Sequence, residues 1–129
     1  MRHGRFIGFG SLLLVLLVAA AVVGAGLLSA GAADAAVKRV SIKNMAFTPR
    51  TITVKAGAKV KWKNADGVVH NVTSTDSMKT TAKVTGLFAS ASLSNGQSFS
   101  FTFRKKGTYY YECTIHASTA SMHGKVIVK

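Results

Sequence analysis

Residues 98–116 read SFSFTFRKKGTYYYECTIH, and this stretch decides the fold class of the chain. Phenylalanine alternates with serine or threonine from Phe99 to Phe103, and a second alternating segment runs from Tyr109 to Cys113. A basic turn that contains glycine separates the two segments. A period of two residues is typical of β-strands that bury one face, and the turn predicts a hairpin between them. The stretch therefore predicts an all-β fold.

Short segments of the same kind continue through the rest of the chain from residue 37 onward. Predicted strands or apolar edge segments cover residues 37–42, 51–54, 60–62, 68–72, 87–93, 99–103, 109–113 and 125–129. Turn residues stand between several of these segments, and the polar residues 74–83 predict a loop. Seven or eight short strands at this spacing, without a convincing long helix, predict an antiparallel β-sandwich in Greek-key order.

The first 36 residues have the composition of an export leader rather than of a folded domain. A basic start is followed by an uncharged apolar run over residues 6–28, and the small residues 29–36 offer Ala-x-Ala cleavage sites. The run is longer than the roughly 7–15 apolar residues of a typical signal peptide. It also reaches the roughly 20 residues that span a bilayer. A cleaved signal peptide and a retained N-terminal membrane anchor both remain open, and both place residues 37–129 outside the cytoplasm.

The chain is strongly basic, with 17 Lys and Arg residues against 4 Asp and Glu residues and a formal net charge of +13. This charge favours acidic protein partners or an anionic membrane surface. Nucleic acid is disfavoured as a partner because the leader indicates export and no recognition motif is present. Residues 37–129 suffice for one compact domain, which we expect to be monomeric.

Potential metal ligands cluster near the C-terminus around Cys113, the only cysteine of the chain. Cys113 ends a predicted strand, and a two-residue turn brings His116 back towards its sulfur. Met122 follows after five residues, and His70 stands well upstream in an apolar segment. One thiolate, two imidazoles and a weak thioether form the ligand set of a blue copper centre, which transfers single electrons. We therefore predict that His70, Cys113, His116 and Met122 bind one copper ion.

Two neighbouring residues leave alternatives open. His123 stands next to Met122 and could take the axial position instead, which would give a site with three nitrogen ligands. If Met122 is the ligand, we expect His123 to be an exposed residue or to contact a ligand from outside the site. Asn71 follows His70 and is predicted either to tie the two ligand segments together by hydrogen bonds or to be a simple turn residue.

The order of these motifs resembles that of the cupredoxins, and in particular of the plastocyanin/amicyanin-like small blue copper proteins. The resemblance covers nearly all of residues 37–129. Its elements are NMAFTP at 44–49, VKAG at 54–57, Trp62, HNV at 70–72, GTY at 107–109, Cys113-x-x-His116 and Met122-x-Gly124. A lone Cys-x-x-His is a weak signal, whereas this ordered series is a strong one.

The resemblance implies a cupredoxin-like copper-binding domain over residues 37–129, with the copper ligands already named. It also implies that electrons enter and leave through the exposed edge of His116, amid apolar neighbours. Two features depart from the family pattern. The five residues between His116 and Met122 make a longer loop than the two or four of close relatives. Glu112 occupies the position where plastocyanins place a tyrosine that serves as a second electron route.

We therefore expect an exported, periplasmic or otherwise extracytoplasmic one-electron carrier that is not an enzyme. The alternative is a copper-binding or trafficking module without an electron-carrier role. Redox protein partners, expected to be acidic, should dock near His116. The basic hairpin turn at residues 104–106 is expected at the far end of the domain from the metal. Lys63 and Lys125 should lie closer to the metal and should therefore guide docking.

Overall fold

The computed structural model describes residues 36–129 of the chain. The signal or anchor segment predicted for residues 1–36 therefore lies outside the described residues, apart from Ala36. Within residues 36–129 there is no helix with the length and apolar character needed to cross a membrane.

Nine β-strands and two short 3₁₀ helices make up the described part of the chain. The strands are β1 Val37–Lys43, β2 Ala46–Thr48, β3 Thr51–Val54, β4 Ala58–Asn64, β5 Thr73–Thr75, β6 Val84–Ala89, β7 Ser98–Phe103, β8 Gly107–Glu112 and β9 His123–Val128. The 3₁₀ helices span Thr114–His116 and Ala120–Met122. One sheet has the strand order β2-β1-β4-β7, and the other has the order β3-β9-β8-β5-β6.

The two sheets confirm the predicted β-sandwich, and their strand directions add a detail that the sequence pattern did not contain. Strands β1 and β4 pair in parallel, as do β3 and β9, whereas the remaining strand pairs are antiparallel. The alternation of apolar and polar residues shows which face of a strand is buried, but it does not show the direction of the neighbouring strand. The sheets are therefore mixed rather than purely antiparallel.

The segment around His70 differs most from the prediction. Residues 68–72 are not a strand, and His70 forms only an isolated bridge with Leu93. The strand comes just after this segment, as β5, in residues that were predicted to begin a polar loop. Threonine and serine at all three positions of β5 are buried, because this strand lies between β6 and β8 in the second sheet. A prediction based on hydrophobicity misses a strand whose buried positions carry polar side chains.

Aromatic side chains fill the space between the sheets. Trp62 is fully buried at the centre, with the rings of Tyr111 at 5.2 Å and Phe99 at 5.8 Å between centroids. Phe47 packs edge-on against Tyr111, with 4.8 Å between the ring centroids. Aromatic pairs in such offset and T-shaped arrangements add stability beyond the area they bury. The core thus holds β8, and the cysteine that follows it, in a rigid setting.

The ends of the strands define two poles of the domain. Strand β8 starts beside the end of β9, and Glu112 at its far end pairs with His123. Cys113 and both 3₁₀ helices follow directly, so the predicted ligands from the C-terminal cluster gather at this end, here called the metal pole. The hairpin turn at residues 104–106 lies at the other end of β8, as expected. Six strand residues separate the two ends, a length of about 20 Å.

Candidate metal centre

Cys113 lies directly after β8, and its side chain is fully buried. The 3₁₀ turn Thr114–His116 then reverses the chain, closed by a hydrogen bond of 3.1 Å from the His116 N–H to the Cys113 carbonyl. This turn places Nδ1 of His116 3.5 Å from Sγ of Cys113. The predicted return of His116 to the sulfur is therefore present in the structure.

His70 reaches the same sulfur from a distant segment of the chain. Two backbone hydrogen bonds with Leu93 hold its peptide unit in place, although it belongs to none of the nine strands. The imidazole is fully buried, and its Nδ1 atom lies 3.7 Å from Sγ of Cys113. The ring centroids of His70 and His116 are 4.9 Å apart.

The spacing of these three donor atoms fits a common metal ion. The atoms, one each from His70, Cys113 and His116, all lie within 4.8 Å of one another. Nitrogen and sulfur ligands about 2.0 and 2.3 Å from one ion stand about 3.5–3.7 Å apart at tetrahedral to trigonal angles. The observed separations of 3.5 and 3.7 Å match this requirement. A thiolate with two imidazoles is a donor set that suits copper.

Asn71 connects the two segments that carry the histidines. Its side-chain Nδ2 donates to Oγ1 of Thr114 at 2.6 Å, and its Oδ1 accepts from the Thr114 N–H at 2.8 Å. Its own backbone N–H points at Sγ of Cys113, 3.4 Å away. Of the two alternatives for Asn71, the structure supports the one in which its hydrogen bonds tie the segments together.

Asp66 contacts the ring nitrogen of His70 that faces away from Cys113. Its Oδ2 atom lies 2.9 Å from Nε2 of His70 and accepts from the Met45 N–H at 3.0 Å, while Oδ1 accepts from the Asn44 N–H at 3.1 Å. A carboxylate at Nε2 fixes the proton there and leaves the Nδ1 lone pair facing the sulfur. The Met45 N–H, followed by the His70 side chain, keeps the pKa of Asp66 below its ordinary value.

We expect Asp66→Ala to weaken copper binding by about 10- to 100-fold, the usual cost of losing a carboxylate behind a metal-binding histidine. Competition with a chelator of known affinity measures this change. Asp76→Ala is the matched control, because Asp76 also accepts from a backbone N–H and a side chain but does so in the loop after β5. A copper affinity that falls equally in both variants would contradict the assigned role of Asp66.

Hydrogen bonds to other segments fix the position of the loop that carries Met122. Met122 is fully buried, and its carbonyl accepts from the Cys113 N–H at 3.0 Å. The Arg50 guanidinium donates to the carbonyls of Ala120 and His123, at 2.8 and 2.9 Å, on both sides of Met122. The Ser121 hydroxyl donates to the Met45 carbonyl at 2.6 Å. The longer loop therefore presents Met122 from a defined backbone position.

Arg50→Ala should increase amide hydrogen exchange of residues 119–122 by about ten-fold, because it removes two hydrogen bonds of roughly 1 kcal/mol net each, less some solvent compensation. Arg50→Lys should restore only part of the protection, because one ammonium group does not reproduce the two-pronged contact. Exchange resolved by peptide mass spectrometry gives the comparison. Unchanged exchange in the alanine variant would show that the loop does not depend on Arg50.

His123 is buried, so the expectation of an exposed histidine is wrong. Its Nε2 lies 2.7 Å from the Ala117 carbonyl, and its Nδ1 lies 3.4 Å from Oε2 of Glu112 without the geometry of a hydrogen bond. Both ring nitrogens thus face groups other than the three clustered donors. Glu112 is itself buried, and this burial raises the pKa of its carboxyl group.

The surface at the metal pole combines apolar residues with the half-buried His116. Ile115 is 49% exposed, and Val68 and Val69, which precede His70, are 47% and 41% exposed. Sequence reasoning missed Asp66, Arg50 and the buried pair of Glu112 and His123. The only available signal was the position of Asp66 four residues before His70, whereas the other contacts join distant segments.

The chain matches the family model described as copper binding proteins, plastocyanin/azurin family, over residues 34–129. Amicyanin-alpha from Methylorubrum extorquens is 31% identical over 125 residues, covering 97% of this chain and 99% of that protein. A chloroplastic plastocyanin from Silene latifolia subsp. alba is 37% identical over 116 residues, covering 86% of this chain and 70% of that protein.

Solved structures give the same picture. A purple cupredoxin from Nitrosopumilus maritimus has a TM-score of 0.64 at 29% identity, covering 71% of this chain and 99% of that chain. A Cu-containing nitrite reductase from Thermus scotoductus has a TM-score of 0.60 at 23% identity, covering 73% of this chain and 22% of that chain. At that identity the second likeness shows the fold alone.

Proposed function

Because the chain belongs to the plastocyanin/azurin family of copper-binding proteins, we propose that it is an extracytoplasmic one-electron carrier. The cofactor of the family is copper, and a copper ion in such a site supplies one-electron chemistry between Cu(I) and Cu(II). The observation that carries the proposal is the convergence of two imidazole nitrogens on the buried sulfur of Cys113, at 3.5 and 3.7 Å.

Each residue of the proposed site has a distinct task. Cys113 provides the thiolate, and His70 and His116 provide nitrogen ligands whose positions the surrounding hydrogen bonds hold. Met122 is the proposed weak axial ligand, supported by its burial and by the backbone contact with Cys113. His123 is the less favourable choice, because both of its ring nitrogens face other groups. A site held in this way needs little rearrangement when the charge of the ion changes.

We further propose that electrons pass through the edge of His116. The ring is half-buried, and the exposed Ile115, Val68 and Val69 surround this end of the domain with apolar surface. Apolar surface of this kind suits a redox protein that docks transiently and excludes water from the contact. The excess of basic residues makes an acidic partner the favoured one.

The optical and paramagnetic spectra of the Cu(II) form test the proposal. An intense visible charge-transfer band, together with slow loss of copper to a chelator, is the result expected for a carrier. Copper that leaves within seconds would instead indicate a trafficking or buffering module. If the protein stays colourless with cupric salt and its Cys113 thiol remains free for alkylation, both the electron carrier and the trafficking or buffering module are excluded.

We do not propose an enzymatic activity. Copper oxidases and nitrite reductases need further histidines for a second copper centre. In residues 36–129, one group of three His, Cys, Asp or Glu side chains has metal-binding spacing, and it is the group already described. Beyond the proposed ligands, the remaining histidine of this region is His123, which packs against Glu112 and Ala117.

Charge reversal tests where the redox partner docks. Lys125 pairs with Tyr110 on β8. Lys63 immediately precedes Asn64, whose Nδ2 donates to the carbonyl of Leu93, the bridge partner of His70. Both lysines therefore lie nearer the metal pole than the turn at residues 104–106. We expect Lys63→Glu with Lys125→Glu to slow electron exchange with an acidic partner by about ten-fold or more at low ionic strength. The same reversal at residues 105 and 106 is the matched control. Stopped-flow kinetics measure the rate of electron exchange. A larger decrease of this rate in the control variant than in the Lys63/Lys125 variant would contradict the proposed docking site.

A further inference from the structure

Backbone hydrogen bonds bring three basic segments together at the pole opposite the metal, at residues 36–38, 55–59 and 103–106. The Lys59 N–H donates to the Ala36 carbonyl, where the described chain begins, and the Gly57 N–H donates to the Phe103 carbonyl. The Tyr109 hydroxyl donates to the Lys105 carbonyl at 2.7 Å and braces the turn between β7 and β8. Six exposed basic residues lie in these segments: Lys38, Lys55, Lys59, Arg104, Lys105 and Lys106. We call this group the basic pole.

The charges of the basic pole have no acidic partners. Among residues 36–129, no lysine or arginine side chain forms an ion pair. The ion pairs in this part of the chain are those of His70 with Asp66 and of His123 with Glu112. Asp66 and Glu112 lie at the metal pole. The Asp76 carboxylate is occupied by the Ser77 hydroxyl and the Lys83 N–H. Within residues 36–129, six neighbouring cations therefore repel one another without a compensating ion pair, so that an external anionic surface would lower this repulsion.

The preceding chain joins the domain at this same pole. Ala36 lies beside Lys59 and leads into β1 at Val37. Only residues 29–36 separate β1 from the apolar run at residues 6–28, and eight residues reach at most roughly 28 Å. If that run lies in a bilayer, the basic pole stays close to the lipid surface whatever conformation the connecting residues adopt.

We propose that the basic pole docks on an anionic phospholipid surface and thereby turns the metal pole towards the aqueous phase. Docked in this way, His116 and its apolar surroundings point away from the lipid, where a redox partner can reach them. An acidic redox protein is the less suitable occupant, because β8 places the basic pole about 20 Å from the cysteine. A partner that exchanges electrons gains nothing from binding at that distance.

Lysine labelling of the full chain tests this proposal without any need for copper, so it is independent of the electron-carrier proposal. The protein is mixed with nanodiscs of phosphatidylcholine, either pure or with about one third phosphatidylglycerol, and treated with a membrane-impermeant acetylating reagent. Mass spectrometry then gives the labelling rate of each lysine. We expect Lys38, Lys55 and Lys106 to react about five-fold or more slowly with the anionic discs only. About 0.5 M NaCl should abolish this protection.

Two variants of equal charge provide the comparison. Lys105→Gln with Lys106→Gln should lower the docking equilibrium constant about 25-fold, at about five-fold per residue, and remove the protection of Lys55. Lys63→Gln with Lys79→Gln removes two exposed charges elsewhere and should leave that protection intact. Equal labelling in neutral and anionic discs, or protection of Lys63 and Lys79 in the wild-type protein, would overturn the proposal.

Discussion

Cys113→Ser should abolish the visible charge-transfer band of the Cu(II) protein completely. Cys113 is the only cysteine of the chain, and both histidine Nδ1 atoms lie within 3.7 Å of its sulfur. A serine hydroxyl is a hard, protonated donor that does not replace a thiolate for copper. Copper affinity should fall by more than about 100-fold, beyond the loss expected when a residue behind a ligand is removed. Absorption titration with cupric salt measures both effects.

Ser118→Ala is the matched control for this variant. Ser118 lies in the exposed part of the loop between His116 and Met122, so its removal should leave the colour and the affinity unchanged. The Asn71 N–H that faces the sulfur at 3.4 Å can equally face a serine hydroxyl, and the apo variant should therefore fold. A folded Cys113→Ser protein that keeps the intense band would exclude Cys113 as the copper ligand.

Gly124→Ala should destabilise the domain by about 3 kcal/mol or more, because it forces a methyl group into a filled part of the core. A Cβ atom at Gly124 would lie 2.4 Å from Cζ and the hydroxyl oxygen of Tyr111, its cross-strand partner on β8. Tyr111 is fully buried between Phe47 and Trp62 and therefore cannot move aside. Urea denaturation of the apo protein gives the free energy of unfolding.

Two further variants show whether the Tyr111 ring causes this loss. Gly67→Ala should change stability by less than about 0.5 kcal/mol, because nothing lies within 4 Å of the added carbon. Tyr111→Leu should make Gly124→Ala less costly, with a favourable coupling of about 1 kcal/mol or more in a double-mutant cycle. If the two substitutions at residues 111 and 124 were strictly additive, the predicted clash would be wrong.

The sequence predicted those parts of the fold that depend on local alternation. Trp62 and its neighbours on β4 are buried at every second position, and so the sandwich could be predicted. Strand β5 could not, because its side chains are polar and are buried only through pairing with strands distant in sequence. The parallel strand pairs were missed for a related reason. The alternation of apolar and polar residues along a strand does not show which strand lies beside it or in which direction that strand runs.

In the candidate site, too, the local features could be predicted from the sequence and the contacts between distant segments could not. The spacing of Cys113 and His116 is local, and the structure brings these two together as the pattern predicted. Asp66 lies only four residues before His70, whose side chain it contacts. Its other contacts and those of Arg50 are with backbone groups of distant segments, which no spacing in the chain reveals. If Met122 is the ligand, His123 was expected either to be exposed or to contact a ligand from outside the site, and the first of these alternatives is wrong. Its burial beside Glu112 is a tertiary effect.

The paired hydrogen bonds between Asn71 and Thr114 have a consequence for how the protein is loaded and emptied. They join the His70 and Cys113 segments, and the Asn71 N–H faces the sulfur. Because both partners of each bond belong to the protein, we expect the donor atoms to stay close together when the ion leaves. Rebinding of copper to the apo protein should then follow simple second-order kinetics, and repeated removal and addition should restore the same visible spectrum.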